Sequence, residues 1–409
     1  MHKSAPLVLA AVVALAVPPA GAATRWIGVW EASVTAPVAA GPGVPAARVS
    51  MSLTNQTVVE TVRLSAGGVR LRLRLTNEFG QMPLNIGAAR VAIIDVDGAP
   101  RLGSSRAVTF GGSTFAFIPP GAPLISDAID LKAADLARLE VRLYLPGDTG
   151  PCTCHPVGAA TTQISSPGDF TDRDFTPVAT SRARMFLSGV EAETARRGPV
   201  IVAFGDSITD GVASTPDADH RWPDRLADRL ASGAAWASAV VDAGISGNHL
   251  LGEGGNPASG PSAMARFDRD VLSVPGVTHV IVLEGVNDLG AGGAHPPAAA
   301  RMIDAYGQLI ARAHAHGLTV IGATILPYEG ALYYLPEGEA VREAVNAWIR
   351  HGGAFDAVVD LDGAMRDPAR PGRLRADLQS GDWLQPNDAG YQAVANAFDL
   401  RLFRRWGGR

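Results

Sequence analysis

The sequence predicts an all-β sandwich followed by an α/β domain built on a doubly wound parallel sheet. Two patterns carry that expectation. Up to about residue 190, apolar and charged residues alternate with period two, so that one strand face is buried and the other meets water. After residue 199, short apolar runs alternate with helical patterns, as they do where helices cover both faces of a sheet. Length agrees, since 409 residues exceed what one core ordinarily serves. A hydrophobic content of 47% against 18% charged residues excludes global disorder. The net charge of −5 supplies no basic stripe, so neither nucleic acid nor an anionic membrane is expected as a partner.

Residues 1–22 read as a signal peptide. His2 and Lys3 are followed by the apolar run Ala5–Val17, and Pro18-Pro19-Ala20-Gly21-Ala22 ends in a small-x-small cleavage pattern. The apolar run is too short for a transmembrane helix, and no later segment reads as a span, so no stable membrane insertion is expected. The mature chain is expected to be secreted or periplasmic.

Residues 23–190 form the predicted β-domain, a sandwich of jelly-roll-like character. Val69–Leu75 (VRLRLRL) and Leu139–Leu145 (LEVRLYL) alternate strictly, and Val58–Leu64 and Arg90–Val96 do so more weakly. Gly67-Gly68, Asp97-Gly98 and Gly111-Gly112 supply turns. The three arginines of Val69–Leu75 read as a solvated strand face or an anionic-ligand surface, and Trp26 and Trp30 as packing residues or a sugar platform. Cys152 and Cys154, in CTCH, are read as a local disulfide staple or two free thiols. A metal site with His155 lacks a second ligand pair at a recognisable spacing, so no metal is expected.

Residues 191–198 (EAETARRG) are polar without an apolar period and read as a linker between two independent cores. The α/β domain then runs over residues 199–409. Its expected strands are Val200–Phe204, Ala239–Asp242, His279–Leu283, Thr319–Ala323 and Ala357–Asp360. Its expected helices are Trp222–Leu230, Pro297–His316, Glu337–Ile349 and Asn387–Arg405. A flavodoxin-like strand order, second-first-third-fourth-fifth, would bring the strands' carboxyl ends to one crevice.

Three stretches fall at those ends, and a fourth is read with them. Gly205-Asp-Ser-Ile-Thr-Asp-Gly211 follows the first strand, and Asp242-Ala-Gly-Ile-Ser-Gly-Asn248 follows the second. Leu283-Glu-Gly-Val-Asn-Asp288 follows the third, and Asp382-Trp-Leu-Gln-Pro-Asn-Asp388 precedes the last helix. Taken together, over residues 199–405, they resemble the SGNH (GDSL) hydrolase superfamily, and the leading β-domain resembles its secreted two-domain esterases and lipases. The resemblance implies Ser207 as nucleophile and an oxyanion hole formed by the backbone N–H groups of Ser207 and Gly247 with the Asn287 amide. It also implies Asp382 as the acid of the Asp-x-x-His motif. Such a site acts on a small-molecule or carbohydrate ester and needs neither metal nor organic cofactor. The residue types suit the chemistry: a hydroxyl becomes nucleophilic when a base takes its proton, and neutral preorganised donors stabilise an oxyanion.

The pattern breaks at one position. The family motif places histidine at 385, where this chain has Gln385. A glutamine amide accepts a hydrogen bond but has no basicity near neutral pH. Three readings follow: an inactivated or impaired esterase, a pocket that binds an acylated or glycosidic ligand without hydrolysing it, or an enzyme with a substitute base. His249 and His295 are the candidate bases by sequence. Asp206, Asp210, Glu284 and Asp288 would support glycosidase-type acid/base work in a third-ranked alternative.

Overall fold

The computed structural model describes residues 23–41, 49–233, 238–254, 256–293 and 295–404; the signal segment read at residues 1–22 lies outside the described residues. The N-terminal domain is all-β. Its principal strands are β1 (Arg25–Glu31), β2 (Gln56–Arg63), β3 (Arg70–Thr76), β4 (Ala88–Ile94), β5 (Arg138–Leu145), β6 (Thr162–Pro167) and β7 (Leu187–Thr194). One sheet runs β1-β7-β3 with the short strand Pro123–Ile125 at its edge. The other places β6, β2, β5 and β4 side by side, flanked by Ala179–Ser181 and Arg106–Ala107. Every pairing in both sheets is antiparallel.

Period-two alternation does what it should. Leu71, Leu73 and Leu75 of β3, and Leu139, Val141, Leu143 and Leu145 of β5, are buried in the sandwich. The outward arginines of β3 are ion-paired: Arg70 with Glu193 and Arg72 with Glu191. Arg72 also covers the Trp26 ring, 4.4 Å from its centroid. Cys152 and Cys154 form a disulfide, and both are buried.

The C-terminal domain holds a five-stranded parallel sheet of β8 (Val200–Gly205), β9 (Ala239–Gly244), β10 (His279–Leu283), β11 (Thr319–Ala323) and β12 (Ala357–Val359). Their spatial order is β9-β8-β10-β11-β12, the order read from the sequence. The helices are α1 (Ser207–Asp210), α2 (Trp222–Gly233), α3 (Ala263–Phe267), α4 (Ala299–Ala315), α5 (Pro336–His351), α6 (Leu361–Met365) and α7 (Asp388–Ala397). The last ends well before Arg405 and gives way to a 3-10 turn at Leu400–Phe403. No helix among the described residues is long and apolar enough to cross a membrane.

Two expectations about the boundary are corrected. Residues 191–194 are not linker but the end of β7, because Glu191 and Glu193 lie opposite Arg72 and Arg70 and are neutralised across the strands. Nor are the two cores independent. The buried apolar residues form one continuous cluster across both domains. Strand β1 and the turn after β2 make the join: Gly28 of β1 donates its N–H to the Pro275 carbonyl at 2.9 Å, and Val240 donates to Ser65 Oγ, just past β2, at 3.0 Å. A Cβ on Gly28 would lie 2.7 Å from Val274 Cγ1, so glycine permits the close approach. Trp30, 8% exposed, is packed in that common core.

Candidate active site

The site begins where β8 runs out. A Cβ on Gly205 would lie 2.1 Å from the Leu283 carbonyl oxygen of β10, so only glycine lets the chain leave the sheet at this point. Asp206 then caps α1, its Oδ1 accepting the Ile208 N–H at 2.9 Å. Ser207 is the first residue of α1 and is 5% exposed. Its hydroxyl oxygen accepts a hydrogen bond from Gln385 Nε2 at 3.0 Å.

Gln385 comes from the segment just before α7 and is 6% exposed. Its Oε1 is buried without a hydrogen-bond partner. Asp382 makes no hydrogen bond to the Gln385 side chain. Its Oδ1 instead accepts the Leu384 N–H at 2.9 Å, the Gln385 N–H at 2.8 Å and the Ser380 hydroxyl at 3.1 Å. That is an Asx-type turn that shapes the loop backbone.

The other flank is a relay of amides. Asn287 follows β10 and donates through Nδ2 to the Asn248 carbonyl at 2.8 Å. Its Oδ1 accepts the Tyr333 hydroxyl at 3.1 Å. These two bonds fix the plane of the Asn287 amide and leave its second N–H without an acceptor among the described residues. Gly247 sits at φ +82° in the loop after β9, and a Cβ there would lie 2.7 Å from Ser259 Oγ. Asn248 is itself held: Nδ2 donates to the Ser259 and Pro261 carbonyls at 2.7 and 2.8 Å, and Oδ1 accepts Arg266 Nε at 2.8 Å.

Arg266 anchors this flank from beneath. It is 2% exposed and donates to the Gly205 carbonyl at 2.7 Å, the Ala243 carbonyl at 2.8 Å and Asp270 at 2.9 Å. One guanidinium thus ties the ends of β8 and β9 to the Asn248 loop. Its planar fork suits that task, and it lies over the Phe204 ring at 4.2 Å from the centroid.

The four carboxylates near the site are engaged in loop support. Asp288 accepts the N–H groups of Leu250 and Leu251 at 2.7 and 3.0 Å. Asp210 accepts the Ser246 N–H at 2.9 Å, and Glu284 accepts the Gly285 N–H at 3.1 Å. Burial pushes Asp206 up to about 7, with repulsion from Asp288 and Asp210 adding to it against the Ile208 N–H bond. Burial likewise raises Glu284 well above the ordinary carboxyl range, and the neighbouring Asp206 raises it further. Of the histidines read as substitute bases, His249 is half-buried with an unpartnered Nδ1 and His295 is exposed. No histidine among the described residues hydrogen-bonds Ser207.

The model of the GDSL-like lipase/acylhydrolase family matches residues 203–393, the stretch that contains all of these groups. The C-terminal domain belongs to that family. Three solved structures illustrate the likeness of the GDSL domain. The lipase/acylhydrolase from Enterococcus faecalis is 20% identical, with 49% of this chain and 92% of that chain covered and a TM-score of 0.37. A GDSL-like lipase from Bacteroides thetaiotaomicron is 18% identical, with 48% and 84% covered and a TM-score of 0.37. An acetyl xylan esterase is 20% identical, with 48% and 96% covered and a TM-score of 0.36. No curated protein matches the chain.

Sequence reasoning missed Arg266, Tyr333 and His155. Arg266 and Tyr333 stand in no motif, and a lone arginine in a helix or tyrosine in a loop carries no spacing signal. His155 in CTCH offers local sequence only a metal-ligand reading, which its spacing does not support. Its contact with Asp210 crosses the domain boundary and leaves no trace in local sequence.

Proposed function

We propose that this chain is a secreted or periplasmic serine ester hydrolase of the GDSL type whose activity is impaired by Gln385. In this reading Ser207 attacks the carbonyl carbon of a short acyl ester, on an acylated carbohydrate or another small alcohol. The Ser207 and Gly247 N–H groups and the free Asn287 N–H receive the oxyanion. The observation that carries the reading is the contact of Gln385 with the Ser207 hydroxyl at 3.0 Å, where the base of such a site would stand. The amide delivers a donor to the oxygen that must lose a proton, and it cannot accept that proton. Catalysis then rests on binding and the oxyanion donors, which leave about 10³–10⁴-fold over water when a triad member is missing.

The test is Gln385→His. All of Asp382's bonds converge on Oδ1, so Oδ2 is available to accept an imidazole Nδ1–H. Turnover of p-nitrophenyl acetate is expected to rise by about 10²–10⁴-fold, with a rising limb near the imidazole pKa of about 6.5. Ser207→Ala in the same background is expected to abolish the gain. A folded Gln385→His protein without gain would favour the second reading, a pocket that binds an acylated ligand without cleaving it. The neutral Gln385 amide closed over Ser207 is the observation that favours it.

A further inference from the structure

One buried side chain assigns the N-terminal domain a part in the site. His155 lies on the two-residue strand Cys154–His155, which pairs with Arg184–Met185 and directly follows the Cys152–Cys154 disulfide. The Cys154 carbonyl also accepts the Thr35 N–H at 2.8 Å, so the backbone carrying His155 is held from two sides. The residue is 4% exposed, and its ring reaches into the C-terminal domain.

Nδ1 of His155 meets the Ser33 carbonyl at 2.9 Å, and Nε2 meets the Asp210 carboxylate at 2.9 Å. Both partners are acceptors, so both ring nitrogens donate and the ring is an imidazolium. Burial works against that cation, but the Asp210 carboxylate, the Ser33 carbonyl and Asp242 together outweigh it and hold the pKa above the ordinary histidine value. The second oxygen of Asp210 accepts the Ser246 N–H at 2.9 Å and also the Ser246 hydroxyl. Asp210 is the last residue of α1, which begins at Ser207, and Ser246 immediately precedes Gly247.

We propose that His155 is a positioning residue through which the N-terminal domain holds the nucleophile helix and the Gly247 loop in register. Asp210 has two oxygens with two tasks, one facing His155 and one facing the loop, so pinning the first aims the second. Without His155 the buried carboxylate loses the charged partner of one of its oxygens. It gains by turning towards water, and the loop then loses both bonds. The β-domain is on this account part of the catalytic framework. The inference rests on the esterase reading for its meaning, while its geometry can be tested without any catalysis.

The first measurement is therefore amide hydrogen exchange at Ser246, whose N–H Asp210 holds, in the full chain. His155→Ala is expected to speed it by about tenfold or more while leaving amides of β11 unchanged. The second is steady-state hydrolysis in the Gln385→His background, where His155→Ala is expected to lower kcat by about 10–100-fold with KM nearly constant. His155→Gln keeps one N–H donor for Asp210 and is expected to recover part of both effects; it also stands in if the alanine variant does not fold. Arg138→Ala removes a different interdomain ion pair, that with Asp219, and is expected to leave both readouts unchanged. Unchanged exchange in both His155 variants overturns the proposal, as does an equal effect from Arg138→Ala, which would mark general domain docking. If Gln385→His is itself inactive the esterase reading fails, and the exchange data alone decide whether His155 sets the register.

Discussion

On one side of Ser207, Tyr333, Asn287, Asn248 and Arg266 pass hydrogen bonds from one to the next and end on the carbonyls of two strands. On the other side, Asp382 turns to its own loop backbone, and Gln385 buries an oxygen that nothing meets. Both adjoin the same hydroxyl, the first flank from strand ends of the sheet and the second from the segment just before α7. The difference is that an oxyanion framework is built from neutral donors that also stabilise loops, so it persists whether or not a proton can be moved. A base has no such second use. On the proposed reading, the site holds its structural half and differs at the one group whose role is purely chemical.

The largest effect that would break this comparison is on the framework side. In the Gln385→His background, Asn287→Ala is expected to lower kcat by about 10²–10³-fold, the usual consequence of removing one oxyanion donor. KM should change little, because the lost interaction forms in the transition state. Steady-state kinetics on p-nitrophenyl acetate would check it. A loss confined to KM would mean that the Asn287 N–H binds ground-state substrate, and the two flanks would then differ less than the geometry suggests.

The parts of this site that could be read from sequence are those attached to a period or a motif. The parallel sheet followed from apolar runs such as Val200–Phe204, which have no polar face to present to water, and its order from the doubly wound fold class. Ser207 and Gln385 stood at fixed offsets within their blocks, and the structure brings them into contact. What escaped depends on partners distant in sequence. Glu191 and Glu193 look like linker until Arg72 and Arg70 lie opposite them. Nothing local to Ile27 and Val29 shows that β1 packs against a second domain. His155 and Asp210 are 55 positions apart and meet only because the domains share a core.

A smaller effect concerns the floor of the crevice. The Asp206 carboxyl is pushed up to about 7 in the folded chain, against an unfolded value of about 3.9. Between about pH 4 and pH 7 the unfolded chain therefore gives up a proton that the folded chain retains. The folded state binds more protons in that window, so this group makes stability fall as pH rises, with its cost complete above pH 7. Asp206→Asn keeps the helix cap and removes the titration. It is expected to flatten the decline by at most about 1.4 kcal/mol per pH unit, measured by urea unfolding at pH 5 and pH 8. The contributions of Glu60 and Asp242, also raised to about 7, would remain. An unchanged slope would mean that Asp206 is ionised in the folded chain and that the crevice floor is more negative than its burial indicates.

The smallest effect compares the two flanks directly as contributors to stability. Replacing Gln385 by Met keeps the side-chain length, removes one hydrogen bond to Ser207 and also removes the unpartnered Oε1. The bond contributes about 1 kcal/mol net, while an unsatisfied buried oxygen costs about 1–3 kcal/mol, so Gln385→Met is expected to be neutral or stabilising by up to about 2 kcal/mol. Asn287→Leu makes the matching change on the other flank. It strands the Tyr333 hydroxyl and the Asn248 carbonyl, both satisfied now, and is expected to destabilise by about 1–3 kcal/mol. Urea unfolding of the two variants beside the parent chain reads the difference in sign. Equal destabilisation by both would show that the Gln385 amide is as well integrated as Asn287. The glutamine would then have to be understood as a ligand-binding group in its own right, with Oε1 awaiting a donor from the bound molecule.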